Sequence, residues 1–226
     1  MKIDIVIPTR KRSKKLKLLL ETIKEAIIPD VTVWVFFDSY DELNEFEAKH
    51  GKFGNWLNLR ILQREFTPPN FLNDFLFLST ADVVLNLSDH CTVSRGCLRE
   101  VRRVFEERFP DYDGVVGLNI TDIRNQLDSA FCAFGTKFVD RFPNRAVWCP
   151  DYKVFHCDNE LGQFAKSVDK FYFCETAHIT YHFPNIRVDM DDTWKWSRRN
   201  KSHDSNIATQ RNNANLLWGR TYDLLT

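Results

Sequence analysis

Three motifs that present phosphates or nucleophiles are missing from the sequence. It contains no GxGxxG motif, no Walker loop and no GxSxG motif. A Rossmann dehydrogenase needs the first, a P-loop NTPase needs the second, and an α/β-hydrolase needs the third. These absences argue against all three classes of enzyme.

Long apolar runs and cysteine pairs are also missing. No segment approaches the roughly 20 apolar residues that a membrane-spanning helix needs. The opening segment, Met1 to Pro8, is too short and too soon broken for a signal peptide. The six cysteines include no CxxC pair, which favours reduced thiols over a disulfide framework. We therefore expect a cytoplasmic protein without a membrane span.

Neither sign of charge is in excess, since 31 basic residues stand against 31 acidic ones. A generally basic surface for nucleic acid is therefore not predicted, although a local basic patch remains open. Apolar side chains, by contrast, are abundant: 43% of the 226 residues are hydrophobic and 19 are Phe. This length and composition predict one large domain, or one domain plus a small extension.

Short apolar runs alternate with segments of helical periodicity along the first half of the chain. This alternation is typical of a parallel sheet with helices on its faces; the second half is less regular. The predicted strands are 3–7, 31–37, 57–62, 82–87, 114–118, 130–134, 170–174 and 178–183. The predicted helices are 16–27, 41–49, 70–79, 98–109, a short one from 136, and one near 158–165.

The most informative stretch runs from Leu85 to Val93. A buried strand ends there in Ser88, Asp89 and His90. Open α/β sheets bind ligands at the carboxyl ends of central strands, and Asp and His suit Mg, Mn or Zn. The alternative is a simple strand-to-helix turn with Ser94 as the helix cap.

Two further strand ends carry polar groups. The segment 10–17 has six cations and no acid, an arrangement that costs roughly 0.3–1 kcal/mol per cation at a helix N-terminus. A bound phosphate would offset that cost; a solvated basic loop is the alternative. Asp38 follows the second strand and could hold a base or ribose edge, or belong to a turn in which Asp41 caps the next helix.

The order of these features resembles the GT-A glycosyltransferases, family 2 in particular. Ile5 to Arg12 looks like that family's opening strand and IPTxxR loop, and Asp38 stands where a carboxylate faces the nucleotide base. Asn73 occupies a position where the family often has Asn. Leu87 to His90 falls at the DxD metal motif.

The late part of the chain extends the resemblance through residue 185. Asp158-Asn159-Glu160-Leu161 is similar to the family's ED-type segment, which carries the general base, and His182 lies where many members place a metal-binding His. The resemblance implies a GT-A domain over 1–185, with a mixed, mostly parallel central sheet flanked by helices. Residues 186–226 are expected to form a polar, helical extension.

The resemblance also implies an activity. A sugar would move, with inversion, from a nucleotide-diphosphate sugar, most simply a UDP-sugar, to an acceptor hydroxyl on a glycan, a small molecule or modified DNA. Asp158 or Glu160 would be the general base, and Asp158 is favoured because only one of the two can face the acceptor from a helix. The implied nucleotide-binding residues are Pro8, Thr9, Arg10, Arg12, Asp38, Asn73 and Ser88. The implied ligands of a Mn²⁺ or Mg²⁺ ion are Asp89, His90 and His182.

One departure leaves alternatives open. A DxD motif has acids where this chain has Ser88 and His90, so Asp89 either binds the metal or belongs to a weakened, metal-independent site. The basic segments around 10–17 and 195–201 permit a transferase that glycosylates modified DNA bases. A catalytically inactive binding module and a zinc protein using Cys174, His178 and His182 are the remaining hypotheses.

Overall fold

The computed structural model describes residues 1–51, 53–62, 67–121, 130–182 and 191–220. In these ranges the chain forms one sheet and seven α-helices, with a 3₁₀ turn at Pro143–Arg145. The strands are β1 (Ile3–Thr9), β2 (Val31–Phe37), β3 (Leu57–Ile61), β4 (Val83–Asn86), β5 (Cys91–Val93), β6 (Val115–Thr121), β7 (Cys132–Gly135) and β8 (Phe171–Tyr181). The helices are α1 (Ser13–Ala26), α2 (Tyr40–His50), α3 (Pro68–Leu78), α4 (Cys97–Arg108), α5 (Thr136–Val139), α6 (Cys157–Ser167) and α7 (Asp192–Asn213).

The sheet has the strand order β3-β2-β1-β4-β7-β6-β8-β5. Strands β1 to β4 pair in parallel, β6 pairs in parallel with β8, and the contacts of β7 and of β5 are antiparallel. The predicted mixed, mostly parallel sheet flanked by helices is therefore confirmed.

Strand β1 shows why the first half folds as predicted. Its alternate residues bury on opposite faces of the sheet, with Ile3, Ile5 and Ile7 in one core and Val6 in the other. Helices α1 and α4 cover the first face, whereas α3, α5 and α6 cover the second. Because both faces are buried, the central strands are continuously apolar, as parallel strands usually are.

The parallel pairing brings three strand ends to one edge. Thr9 of β1 lies opposite Phe37 of β2, and Leu87, just after β4, donates its N–H to Val6 of β1. The loops that begin at residues 9, 38 and 87 therefore share the carboxyl edge of the sheet. This is the edge at which open α/β sheets bind ligands.

The late strands differ from the prediction. The segments 170–174 and 178–183 were expected to be two strands, but 171–181 is one continuous strand, β8. A register shift against β6, between Leu118 and Asn119, absorbs the irregular residues between them. β8 also pairs with β5, a three-residue strand that was not predicted because it is too short to show periodicity.

Two predicted helix caps also differ. Ser39, not Asp41, caps α2, because its hydroxyl accepts the Glu42 N–H. Ser94 does not cap α4 with its side chain; only its carbonyl accepts, from Cys97 N–H. In both places the observed N-cap, Ser39 or Gly96, lies two residues from the predicted one.

Helix α7 is mostly polar, packs Ile207 and Ala208 against the second core and is anchored by its charges. Asp204 is its only buried residue, and its carboxylate accepts three backbone N–H groups, from residues 153, 154 and 155, at 2.8–2.9 Å. Asp191, its N-cap, pairs with Arg12 of the loop after β1. The helix thus lies against the sheet domain instead of extending into solvent.

Two smaller expectations concern the cysteines and the membrane. All six cysteines are free and buried, and burial raises the pKa of the Cys91 and Cys97 thiols to about 12. The six thiols thus belong to the core, and their reduced state stays a prediction. Within the described ranges, no helix combines the length and apolarity needed to cross a membrane.

Candidate active site

A cavity of about 350 Å³ opens at the carboxyl edge of the sheet. The loop after β1, the turn after β4, the start of α6 and the start of α7 all contribute to its wall. Eight predicted site residues line it: Pro8, Thr9, Arg10, Arg12, Ser88, Asp89, His90 and Asp158. The other four predicted residues, Asp38, Asn73, Glu160 and His182, are not among its lining residues.

Asp89 is the most enclosed carboxylate of the cavity. It is 2% exposed, and its two oxygens are engaged by neighbours on three sides. Thr9 donates its hydroxyl to Oδ2 at 2.9 Å, Arg12 donates from Nη1 to Oδ1 at 3.0 Å, and His90 Nδ1 lies 3.1 Å from Oδ1. A buried charge needs such partners, and Arg12 supplies the opposite charge.

Arg12 joins two carboxylates that are far apart in sequence. Its side chain, 7% exposed, donates to Asp191 through Nε at 2.7 Å and Nη2 at 2.9 Å, the two-pronged geometry that guanidinium groups favour. Burial lowers the pKa of Arg12, but Asp191 and Asp89 raise it above the usual value. Burial alone would raise the pKa of Asp191. The hydrogen bonds from Arg12 and from the Trp194 N–H outweigh that effect, so the pKa of Asp191 is lowered.

His90 has both ring nitrogens engaged. Its Nδ1 lies 2.6 Å from Ser88 Oγ, and its Nε2 lies 2.5 Å from the Tyr181 hydroxyl. His182, the third predicted metal ligand, is exposed, and its ring lies 3.2 Å from Thr92 Oγ1. The structure therefore brings the side chains of Asp89 and His90 together, whereas the ring of His182 contacts Thr92 instead.

These contacts bear on the predicted metal site. In the part of the chain that the structure describes, no group of three His, Cys, Asp or Glu side chains is placed to hold a metal ion. The atoms of Asp89 and His90 that would ligate an ion already contact Arg12, Thr9, Ser88 and Tyr181. In this arrangement protein groups occupy the atoms that would ligate an ion, and a metal held by Asp89, His90 and His182 stays a prediction.

The zinc hypothesis for β8 has no support in the described residues. Cys174 is buried and its thiol lies 3.5 Å from the Thr176 hydroxyl, whereas His178 and His182 are exposed. The bulge in β8 lies between Cys174 and His178. The even spacing that would put the three side chains on one face is therefore broken.

Asp38 lies beside the cavity and is linked to it through Arg10. The Arg10 guanidinium pairs with Asp38 at 2.8 Å, and Arg10 itself lines the cavity. Burial raises the pKa of Asp38 above its usual value, although Arg10 and Lys11 oppose the rise. The pair is thus a partly buried polar group at the end of β2.

Asn73 has a structural contact. Its side-chain amide donates to the Trp148 carbonyl at 2.8 Å and accepts from the Trp148 N–H at 3.1 Å. Both ends of the amide are therefore used to hold the backbone at Trp148. Since Trp148 lines the cavity, Asn73 shapes the wall without being part of it.

Asp158 and Glu160 stand in the first turn of α6 and point in different directions. Asp158 is half-buried and lines the cavity; its Oδ1 accepts the Asn159 N–H at 2.9 Å. A carboxylate in the first turn also sits at the positive end of the helix dipole, which favours its ionised form.

Glu160 turns away into a buried ion pair. It is 7% exposed and accepts from Arg211 of α7 at 2.7–3.1 Å and from the Trp218 N–H at 2.5 Å. All of these partners belong to residues 211–218. Glu160 therefore ties the first turn of α6 to the far end of α7 and the residues just after it.

The sequence analysis did not assign several aromatic residues of the cavity. Trp194 and Trp196 come from the first turns of α7, Phe155 from the loop before α6, and Tyr181 from the end of β8. A signal was available for the first two. Asp191 and Trp194 form a helix N-cap pattern, and two Trp residues in an otherwise polar segment need an apolar neighbour.

Comparison with known proteins places the fold. No protein-family model matches the chain, and no curated protein matches it. Solved glycosyltransferases do match. S. aureus TarS 1-349 in complex with UDP-GlcNAc superposes with a TM-score of 0.62 at 16% identity, over 80% of this chain and 58% of that one.

Two further structures agree. Mannosyltransferase PcManGT from Pyrobaculum calidifontis, in complex with GDP-Man and Mn²⁺, gives a TM-score of 0.63 at 15% identity over 82% of this chain and 58% of that one. GalNAc-T7 with UDP, GalNAc and Mn²⁺ gives a TM-score of 0.64 at 10% identity, over 81% of this chain and 44% of that one. The chain therefore has the fold of the GT-A glycosyltransferases.

The similarity to these solved structures concerns the fold only. At 10–16% identity the three neighbours share the fold alone with this chain, which spans at most about three fifths of their length. They are nucleotide-sugar glycosyltransferases solved with UDP-GlcNAc, GDP-Man or UDP, and two of the three with Mn²⁺. What this chain binds and transfers has to be argued from its own residues.

Proposed function

We propose that the protein is an inverting glycosyltransferase that moves a hexosyl or related sugar from a nucleotide-diphosphate sugar, a UDP-sugar in the simplest case, to an acceptor hydroxyl. One observation carries the proposal. Asp158 lines the same cavity as the loop after β1 and the turn after β4, so a carboxylate stands across from the strand ends at which this fold binds ligands.

The donor is assigned to the side of the cavity formed by β1 and β2. Arg10 and Arg12 provide positive charge near Thr9 and Pro8, where a diphosphate would lie. The Arg10–Asp38 pair at the end of β2 is suited to hydrogen bonds with a base or ribose. Ser88, beside His90 in the same cluster, offers a hydroxyl to the phosphates or the sugar.

The chemical step needs one proton acceptor. The acceptor hydroxyl gives its proton to the Asp158 carboxylate, and its oxygen forms a bond to the anomeric carbon. The bond from that carbon to the diphosphate oxygen breaks, and the nucleoside diphosphate leaves with the electron pair. Attack from the face opposite the leaving group inverts the configuration. Arg10 and Arg12 would stabilise the negative charge that develops on the diphosphate.

A divalent ion is a separate part of the proposal. When bound, Mn²⁺ or Mg²⁺ would neutralise charge on the leaving diphosphate as a Lewis acid. The residues that would hold it are Asp89 with His90 or His182. Arg12 would first have to release Asp89, because it already donates to that carboxylate at 3.0 Å.

A thermal-shift screen tests the proposal. Nucleotide sugars such as UDP-glucose, UDP-GlcNAc and GDP-mannose are added with Mn²⁺ or with EDTA, and unfolding is followed. A donor at about 100 times its Kd stabilises the fold by about 2.7 kcal/mol, and Asp38→Ala should weaken that shift. A shift in Mn²⁺ that disappears in EDTA supports the metal site. An equal shift in EDTA would indicate that Arg10 and Arg12, and not a metal ion, neutralise the charge of the diphosphate.

Two outcomes would count against the proposal. If no nucleotide sugar shifts the melting temperature, the donor assignment is wrong. If a donor binds but is neither hydrolysed nor transferred in any condition, the protein is a binding module. For an active preparation, the anomeric configuration of the product, read by NMR, decides whether the reaction inverts.

A further inference from the structure

Exposed cations collect on both sides of the cavity mouth. Helices α1 and α7 both begin there, and the Arg12–Asp191 pair joins their starts. The chain has no net charge, so this local excess is a feature of the surface and not of the composition. Its members are the exposed Lys11 and Lys14 with the half-buried Lys15 on the α1 side, and the exposed Arg198, Arg199 and Lys201 on the α7 side; we call them the cationic rim.

As far as the structure describes the chain, the rim cations form no close ion pairs, although Lys11 acts electrostatically on Asp38 and Lys15 on Asp191. Neighbouring cations do have carboxylates: Arg10 pairs with Asp38, Lys17 with Glu21 and Lys195 with Asp192. Among the residues that the structure describes, none of the six rim cations forms an ion pair. A positive surface of this kind attracts polyanions even when the whole molecule is neutral.

The α7 part of the rim faces outward. Arg198 and Arg199 share a helix face with Lys195, at spacings of three and four residues. Asp204, the only buried residue of α7, is nine positions after Lys195 and therefore lies about half a revolution away at 3.6 residues per turn. The cations thus point away from the sheet domain and beside the cavity that Trp194 and Trp196 line.

Inside the mouth, the wall is aromatic and has donors without partners. Trp148, Phe155, Trp194 and Trp196 all line the cavity, and Trp194 lies against His90, with 6.5 Å between the ring centroids. The buried indole nitrogens of Trp148 and Trp194 have no hydrogen-bond partner in the described structure, and Trp148 is only 6% exposed. A buried donor without a partner carries an energetic cost, which a ligand with acceptor atoms would remove.

Flat walls, unpaired N–H donors and external cations together describe one kind of ligand. A nucleobase offers two π-faces for stacking on aromatic side chains and carries carbonyl or ring-nitrogen acceptors. The phosphates on either side of that base need cations along the strand's path. Enzymes that act on a base take it out of the stack and hold it in such a pocket.

We propose that the acceptor is a nucleic-acid strand. A base that carries a hydroxyl group enters the aromatic side of the cavity, with that hydroxyl toward Asp158, while the cationic rim binds the flanking phosphates. The inference rests on the proposed transferase function. The hydroxyl proton goes to Asp158, the base-linked oxygen bonds to the anomeric carbon, and the nucleoside diphosphate leaves.

Binding of a labelled single strand tests the rim. A fluorescein-labelled oligonucleotide of 12 nucleotides is titrated with the full chain, and polarisation is followed at several salt concentrations. Arg198→Gln/Arg199→Gln should weaken binding by about 10- to 100-fold at low salt and reduce the slope of log K against log salt by about 1.4, since each phosphate contact on a single strand contributes about 0.7.

A matched control removes the same charge elsewhere. Lys2 and Lys24 are exposed and lie at the amino end of β1 and the last turn of α1, at the opposite edge of the sheet. Lys2→Gln/Lys24→Gln should leave affinity and slope unchanged. If the wild-type chain binds no strand at low salt, or if both double variants lose affinity equally, the inference is wrong.

A second binding experiment distinguishes the contribution of the bases to affinity from that of the phosphates. An abasic strand of the same length keeps every phosphate and should bind about 5- to 150-fold more weakly, which corresponds to about 1–3 kcal/mol for one stacked base. Trp196→Ala, checked for an unchanged melting temperature, should remove most of that difference. Equal binding of the abasic strand would overturn the nucleic-acid assignment in favour of any chain of phosphodiesters.

The donor screen keeps the two proposals apart. A preparation that is stabilised by a nucleotide sugar but binds no strand refutes the nucleic-acid acceptor and leaves the transferase intact. A preparation that binds the strand through the rim but responds to no nucleotide sugar refutes the transferase and, with it, the role of the strand as acceptor.

Discussion

Two carboxylates on opposite walls of the cavity have opposite surroundings. Asp89, after β4, is almost fully buried and receives hydrogen bonds from Thr9 and Arg12. Asp158, in α6, is half-buried and lines the cavity beside the aromatic wall. A carboxylate held by an arginine and a hydroxyl supplies structure or counter-charge, and Asp158 is the carboxylate that we propose as the proton acceptor.

Glu160 shows that sequence position does not separate the two kinds of carboxylate. It is two residues from Asp158 and in the same helical turn, yet it is locked by Arg211 and Trp218. The difference is one of direction, because side chains two apart on a helix point to different sides. Substitutions at these positions can therefore test which carboxylate takes part in the reaction and which one stabilises the fold.

The largest effect is expected at Asp158. Asp158→Asn keeps the shape but removes the proton acceptor, so sugar transfer should fall by about 10²–10⁴-fold. Donor-induced thermal shifts should stay within a few-fold of the wild-type affinity. Asn159→Ala, at the exposed neighbouring position, is the control and should leave transfer unchanged. Wild-type transfer by Asp158→Asn would remove this residue as the base.

The second effect concerns stability. Glu160→Gln leaves Arg211 partly buried without its main partner, and losing one member of a buried ion pair costs about 3–5 kcal/mol. Urea unfolding should show that loss, while the remaining folded protein should still transfer sugar. If transfer disappears with no change in unfolding free energy, the roles of Glu160 and Asp158 are exchanged.

A smaller effect is expected at Arg12. Arg12→Lys keeps the charge but not the two-pronged contact with Asp191, so an acceptor oxygen loses its donor at a cost of about 1–3 kcal/mol. Hydrogen exchange of the amides at the start of α7, residues 192–197, should become faster than in the wild type. Exchange that is faster along the whole chain would instead indicate a general loss of stability.

The smallest effect is a dependence on pH. Because the pKa of Asp191 is lowered in the folded state, its contribution to stability is present above the unfolded pKa of about 3.9. That contribution is lost as the pH falls through the lower, folded pKa. Asp191→Asn should therefore flatten this part of the stability curve below about pH 4. A curve identical to that of the wild type would show that the Arg12 pair contributes nothing.

Local sequence patterns predicted the regular half of the fold and eight of the residues that line the cavity. Strand β2 has the predicted bounds, 31–37, because buried parallel strands are continuous apolar runs. Strand β5 and the unbroken β8 were missed, because pairing between residues 91–93 and 179–181 has no local signature. The contacts that decide what Asp89 and Glu160 do are equally non-local. Asp89 meets a partner 77 residues away and Glu160 one 51 residues away.

The Arg12–Asp191 pair also sets the order in which the molecule is completed. Its members are 179 residues apart, so the contact closes one of the longest loops in the chain. Contacts between residues this far apart in sequence form late in folding, because the entropic cost of closing the loop must first be offset. On the ribosome, which extends the chain at about 5–20 residues per second, the sheet and the loop after β1 emerge before α7. Trp194 and Trp196 are therefore added to the cavity after the strands of the sheet have been synthesised.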